Sequence, residues 1–139
     1  KFAPDSIRWI LDDAVKFVQR ELNRGETYDG IIMDPPAFGH SPSGKTWKFN
    51  RDLPQLLEQS VALLSPNAKF LLINGYATNS SAISLGNILE DAITKRPDLT
   101  GKIEFGELCL AHNKKTASSD DAVNNRMIST GIFSRFYCH

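Results

Sequence analysis

Apolar residues recur along this chain in two rhythms. Leu53, Leu56, Leu57, Val61 and Leu64 follow the three-and-four spacing of a one-faced helix. That spacing predicts a helix from about residue 50, with Pro54 in a first turn that tolerates it. Ala14, Val15, Phe17, Val18 and Leu22 make a similar stripe, preceded by Asp12-Asp13 as capping residues and closed by Asn23-Arg24-Gly25. A third helix is predicted over about 80–95, with Ala82, Leu85, Leu89, Ala92 and Ile93 inward and Ser80 or Ser81 as the cap.

Between these stripes lie short β-branched, aromatic or alternating runs, which predict strands. They are Ile7–Leu11, Tyr28–Met33, Lys69–Asn74, Lys102–Ala111 and Met127–Tyr137. Asp34-Pro35-Pro36 stops the second run, because proline donates nothing to a ladder. Residues 37–49, rich in Gly, Ser, Pro and Lys, and the polar stretch 112–126 are predicted to be loops. The order is therefore β-α-β-α-β-α-β-β. It implies an α/β fold with a mainly parallel sheet covered on both faces and a closing antiparallel hairpin.

Composition narrows the classes. The chain has 139 residues, enough for one domain, with 41% apolar and 23% charged residues, ordinary for a globular core. Its 16 basic and 16 acidic residues balance. That excludes binding of nucleic acid through bulk positive charge, though not through a local basic patch. The two cysteines, Cys109 and Cys138, form neither a disulfide framework nor a zinc spacing, which suits a reduced, cytoplasmic protein. Apolar runs such as Phe70–Ile73 fall far short of the roughly 20 residues that span a membrane, and no signal-peptide pattern opens the chain.

In open α/β sheets, ligands lie beyond the carboxyl ends of the strands. Three places are singled out: Asp12-Asp13-Ala14, Asp34–Phe38 and Asn74-Gly75-Tyr76. Two prolines at Asp34-Pro35-Pro36-Ala37-Phe38 leave neighbouring carbonyls as acceptors, Asp34 adds carboxylate oxygens, and Phe38 offers a flat face for a planar base. The plainer alternative is a rigid turn with a buried Phe. At Asp13 and Ala14 the alternatives are a helix cap or a carboxylate and an amide that read an adenine edge.

Gly39–Thr46 matches the phosphate-loop pattern G-x-x-x-x-G-K-[ST] letter for letter. Its context does not fit, since no strand directly precedes Gly39 and no helix starts at Lys45-Thr46. The better reading is a loop with local positive charge. Lys45, Lys48 and Arg51 fall in a stretch from Gly39 without an acidic residue and are candidate contacts to a phosphate backbone. Trp47 either stacks on a base or packs beneath the loop. His40 reads as a loop residue facing solvent, Cys109 as core and Cys138 as inert. His112 and His139 lack partners at metal-ligand spacing, and no metal site is expected.

Ile7–Val18 and Tyr28–Gly39, with the Asp-Pro-Pro-x-Phe motif at Asp34–Phe38, resemble class I S-adenosylmethionine-dependent methyltransferases. Within them the chain is similar to the group of large-subunit ribosomal RNA methyltransferases. Gly44 and Trp47, Asn74–Ala77, Gly106–Leu108 and Gly131–Arg135 extend the likeness over nearly the whole chain. The resemblance implies S-adenosylmethionine as cofactor, with Asp13 on the adenine amine and Ala14 on the ring. It sets Asp34 and Pro35 beside the methionine part and the target nitrogen, within a catalytic Asp34-Pro35-Pro36 turn, and Phe38 against the target base. It also implies an RNA substrate, ribosomal RNA first. The third strand ends Ile73-Asn74-Gly75-Tyr76 without a cysteine, and Cys109 and Cys138 belong to later strands, which disfavours covalent attack and leaves direct transfer to a nitrogen or oxygen, a base nitrogen being what the resemblance favours.

The resemblance carries one departure. The glycine-rich cofactor loop and the acidic ribose contact belong to two strands with no counterpart here. In the order 3-2-1-4-5-7-6, strand 3 would stand alone and strand 4 would lose a neighbour. Residues 1–139, which start at Lys1 rather than Met, are therefore expected to be the carboxyl-terminal part of a Rossmann-like catalytic domain, inactive without the missing N-terminal part of the same polypeptide. Two other classes stay open: a degenerate methyltransferase-like module that binds RNA or protein, and a phosphate-loop nucleotide-binding protein.

Overall fold

The computed structural model describes residues 3, 6–40, 46–111 and 127–138. Helix α1 (Ala14–Arg24) starts where the Asp13 carboxylate accepts the Lys16 N–H at 3.1 Å, and it ends at Gly25, whose φ of +71° suits a residue without a side chain. Strand β1 (Gly30–Met33) leads into a hairpin of β2 (Phe38–His40) and β3 (Thr46–Lys48). Helix α2 (Phe49–Ala62) follows without a break, then β4 (Phe70–Gly75) and α3 (Ala82–Ile93), which Ser81 caps. Strands β5 (Gly101–Ala111) and β6 (Met127–Cys138) form the last hairpin. Arg96 closes the carboxyl end of α2 by donating to the carbonyls of Val61, Ala62 and Leu64.

The main sheet has the order β1-β4-β6-β5. Strands β1 and β4 are parallel, with Met33 opposite Ile73, and the other two pairs are antiparallel. Paired positions define its faces. Met33, Ile73, Ser134 and Phe105 share one face, as do Leu71, Phe136 and Ile103. Helices α2 and α3 cover this face. Phe49 of α2 lies against Gly75 and Ile132, and Gly86 of α3 lies against Phe105. The core forms here from Leu53, Leu57, Leu71, Ile73, Leu85, Leu89 and Phe136, all wholly buried. Each such side chain contributes about 1.5–3 kcal/mol by leaving water. Helix α1 packs beside α2 in the same layer.

The expectation of helices on both faces is not met among the described residues. The second face carries Ile32, Leu72, Arg135 and Glu104 in one row, and Gly30, Phe70, Tyr137 and Lys102 in the next. Toward β5 it is polar: Arg135 pairs with Glu104 at 2.5 Å, and the Tyr137 hydroxyl donates to Glu104 at 2.8 Å. Toward β1 it is apolar, and Ile32 is 67% exposed.

Three further expectations change. Ile7–Leu11 is not a strand, and Trp9 is 87% exposed. A strand exists only through ladder bonds, and no described segment lies beside this one. Residues 37–49 are not simply a loop but contain the β2–β3 hairpin. Cys109 is exposed rather than core, because it follows the irregularity after Leu108 that shifts the β5–β6 register. The stretch 112–126, with His112, and the terminal His139 lie outside the described residues.

Candidate active site

Strand β1 and strand β4 are parallel, so their carboxyl ends open on the same edge of the sheet. Asp34-Pro35-Pro36 leaves β1 there, with Asp34 exposed and Pro35 half-buried. The turn is held from outside by two donors. The Trp47 indole N–H donates to the Pro36 carbonyl at 2.7 Å, and the Phe49 amide donates to the Ala37 carbonyl at 3.1 Å. The prolines cannot help, since neither has an N–H. Of the acceptors expected free at this turn, two are therefore occupied.

Phe38 is 52% exposed, so the buried-Phe alternative does not hold. Its ring meets the His40 ring edge-on, with centroids 4.8 Å apart and planes at 90°. His40 stands opposite Thr46 in the hairpin, and Gly39 opposite Trp47. Trp47 is half-buried: it packs against the core and turns its indole N–H to the Pro36 carbonyl.

Lys48 and Arg51 flank the junction of β3 and α2. The Lys48 side chain is exposed, while its amide donates to the Asp52 carboxylate at 2.7 Å. Arg51 pairs with the same carboxylate at 2.7 Å and donates to the Thr46 carbonyl. The Asp52 hydrogen bond raises the Arg51 pKa above its ordinary value. Arg51 is thus tied into the junction, and the acidic partner is the residue immediately after the stretch read as purely basic. Lys45 lies outside the described residues. The phosphate-loop reading fails on topology: His40 and Thr46 are paired across an antiparallel hairpin, and α2 begins at Phe49, not at Thr46.

A cavity of about 310 Å³ opens beside this turn, lined by Ala37, Lys48, Phe49, Asn50, Arg51 and Ala77–Asn79. The Ser80 hydroxyl donates to Asn50 Oδ1 at 2.5 Å and ties the β4–α3 loop to α2. Ala77 has φ +50°, a left-handed conformation that costs a residue with a Cβ about 1–2 kcal/mol. Pro54 lies six residues into α2 rather than in its first turn and leaves the Asn50 carbonyl without a helical donor. Asn50, Ala77, Thr78 and Asn79 were not singled out from the sequence. The Asn74–Ala77 strand end was the only signal pointing to them.

Asp13 and Ala14 start α1. The Asp13 cap uses Oδ1 alone, so its second oxygen does not serve the helix. Neighbouring Asp12 accepts from Arg20 at 2.6 Å, and this bond, above all, lowers the Asp12 pKa. Among the described residues, no hydrogen bond or ion pair joins Asp12–Ala14 to the Asp34–Phe38 turn.

No family model matches the chain. A ribosomal RNA large subunit methyltransferase K/L from Shewanella sp. (strain MR-4) is 34% identical over 71 residues, covering 50% of this chain and 9% of that protein. Its namesake from Shewanella frigidimarina is 29% identical over 93 residues, covering 60% of this chain and 12% of that protein. The crystal structure of a SAM-dependent methyltransferase from Agrobacterium tumefaciens matches with a TM-score of 0.79 and 36% identity, over 94% of this chain and 39% of that one. The complex of M1.HpyAVI with SAM shares the fold alone, with a TM-score of 0.51, 16% identity, and coverage of 91% of this chain and 52% of that one.

The fold is that of a class I S-adenosylmethionine-dependent methyltransferase, and the chain is similar in sequence to members of that class. The chain covers 9% and 12% of the two Shewanella proteins and 39% of the Agrobacterium chain, so it spans only part of the length of these relatives.

Proposed function

We propose that the polypeptide carrying this chain is a cytoplasmic S-adenosylmethionine-dependent methyltransferase acting on RNA, ribosomal RNA first, by direct transfer to a base nitrogen. The observation that carries this reading is the Asp34–Phe38 turn at the carboxyl end of β1, in a sheet of order β1-β4-β6-β5.

When bound, S-adenosylmethionine supplies a methyl group activated by its sulfonium. Asp13 would accept from the adenine amine with the carboxylate oxygen its cap does not use, and the Ala14 amide would donate to the ring. Asp34 and Pro35 would accept from the target amine and fix its nitrogen in line, where positioning matters more than acid–base chemistry. Phe38, whose ring is exposed, would pack against the base. Lys48 and Lys45 would contact the RNA backbone. Arg51 is a weaker candidate, because Asp52 already neutralises it.

Residues 1–139 would form the carboxyl-terminal part of one catalytic domain. Among the described residues, the apolar strip of Ile32, Leu72 and Phe70 lies on a face without a helix and the outer edge of β1 has no partner strand; both support this, since an exposed inner edge is a liability that folds cover. The missing N-terminal part would supply a neighbouring strand, a covering layer and the rest of the cofactor site.

The test is transfer of labelled methyl from S-adenosylmethionine to unmodified ribosomal RNA by the whole polypeptide, with nucleoside analysis of the product. The expected product is an N-methylated base, and Asp34→Ala is expected to lower the rate by about 100-fold or more. No transfer by the wild type, or undiminished transfer by Asp34→Ala, would contradict the proposal.

A further inference from the structure

The structure assigns Trp47 a role that its exposure to RNA would not explain: we infer that it is a positioning residue for the Asp34–Phe38 turn, acting through the Pro36 carbonyl. This rests on the methyl-transfer reading of that turn.

A turn with two prolines lacks the amides that would normally lock its carbonyls, so its orientation must be set by donors from elsewhere. Trp47 supplies one, 11 residues along the chain, at 2.7 Å. Its indole cannot swing away without cost, because it also packs against the core. A Cβ placed on Gly39 would stand 3.9 Å from both Pro36 Cγ and Trp47 Cβ, so the hairpin backbone passes close to both partners of this hydrogen bond.

The base of the hairpin is itself fixed. Asp52 accepts from the Lys48 amide, and Arg51 bridges Asp52 to the Thr46 carbonyl on the other side of Trp47. Trp47 is thereby held between two anchored neighbours. The Pro36 and Ala37 carbonyls are occupied, and the other acceptors at this end of the turn are the Asp34 carboxylate and the Pro35 carbonyl. Loss of the indole donor would release the Pro36 carbonyl and let the turn rotate about Pro35–Pro36, carrying both Asp34 and Phe38 out of line.

A base-stacking tryptophan and a positioning one differ in what they change. Removing a stacking ring weakens RNA binding and raises KM. Removing only the N–H of a positioning ring lowers kcat and leaves binding alone. The whole polypeptide would be prepared as Trp47→Phe and with benzothienylalanine at position 47, which keeps the bicyclic shape but replaces the N–H with sulfur. Should Trp47→Phe fail to fold, the isosteric variant carries the test.

The expected result is a fall in kcat of about tenfold, the order of one lost positioning hydrogen bond, with KM for RNA and for S-adenosylmethionine within about twofold of wild type. The wild-type Trp47 indole proton should also exchange slowly with solvent, a readout independent of turnover. Unchanged kcat in the sulfur variant, a rise in KM for RNA alone, or a freely exchanging indole proton would overturn the inference. An inactive wild type with a protected indole proton would instead overturn the methyl-transfer reading and, with it, the role assigned to Trp47.

Discussion

Tyr28 and Glu21 show how much of this molecule rests on single contacts that pattern does not reveal. The helical stripe of α1 marks Val15, Phe17, Val18 and Leu22 as inward, yet the buried residue of that helix is Glu21. Its carboxylate accepts from the Tyr28 hydroxyl at 2.6 Å and pairs with Arg24 at 3.1 Å, tying α1 to the start of β1. The Tyr28 hydrogen bond, above all, holds the Glu21 pKa below its ordinary value, while burial and then Glu21 push Tyr28 up to about 12. The signs follow from linkage. The Glu21 contribution is present above its unfolded value of 4.5 and fades as pH falls. The Tyr28 contribution is whole below pH 10 and is lost as pH rises toward 12. Tyr28→Phe should therefore lower the urea midpoint at neutral pH and make the alkaline loss between pH 10 and 12 shallower; an unchanged alkaline limb would contradict this. At the site, Asp34, Pro36 and Phe38 were legible because a strand end, two prolines and an aromatic adjoin in sequence. Asp52 and the Trp47–Pro36 bond were not, because their meaning depends on a hairpin that folds distant residues together.

Elements were legible in proportion to how much burial fixed them. All five stripe residues of α2 and its C-terminal extension are buried, and β4 starts at Phe70 where Lys69 was expected. The β2–β3 hairpin escaped notice because strands of three residues hold no period to read. Ile7–Leu11 has strand propensity but no partner strand among the described residues, and propensity alone does not make a ladder. Of the four consecutive apolar residues Phe70–Ile73, only Leu71 and Ile73 are buried, the alternation of a strand covered on one face. Element packing gives a direct prediction near the site. A Cβ on Gly131 would stand 2.7 Å from the Tyr76 ring and 2.8 Å from the Gly75 carbonyl oxygen, so Gly131→Ala must push β6 away from the end of β4. The expected cost is about 1–3 kcal/mol, read as a lower Tm in calorimetry, and an unchanged Tm would contradict the packing described.

Among the described residues, α2 and α3 lie on one face of a four-stranded sheet with α1 beside α2, and the other face grades from the Arg135–Glu104 pair to the apolar Ile32 side. The mixed α/β fold and its closing hairpin were readable from the alternation of periods. The one-sided cover was not, since alternation tells which residues are apolar but not which neighbours are present. No described helix is long and apolar enough to cross a membrane. We propose that this chain carries the target-base turn and the adenine contact, and that the remainder of the cofactor site lies in the rest of the polypeptide. Calorimetry with S-adenosylhomocysteine tests that division most directly. Micromolar binding is predicted for the whole polypeptide, weakened by Asp13→Ala, and none is predicted for residues 1–139 alone. Micromolar binding by the 139-residue chain alone, or none by the whole polypeptide, would contradict it.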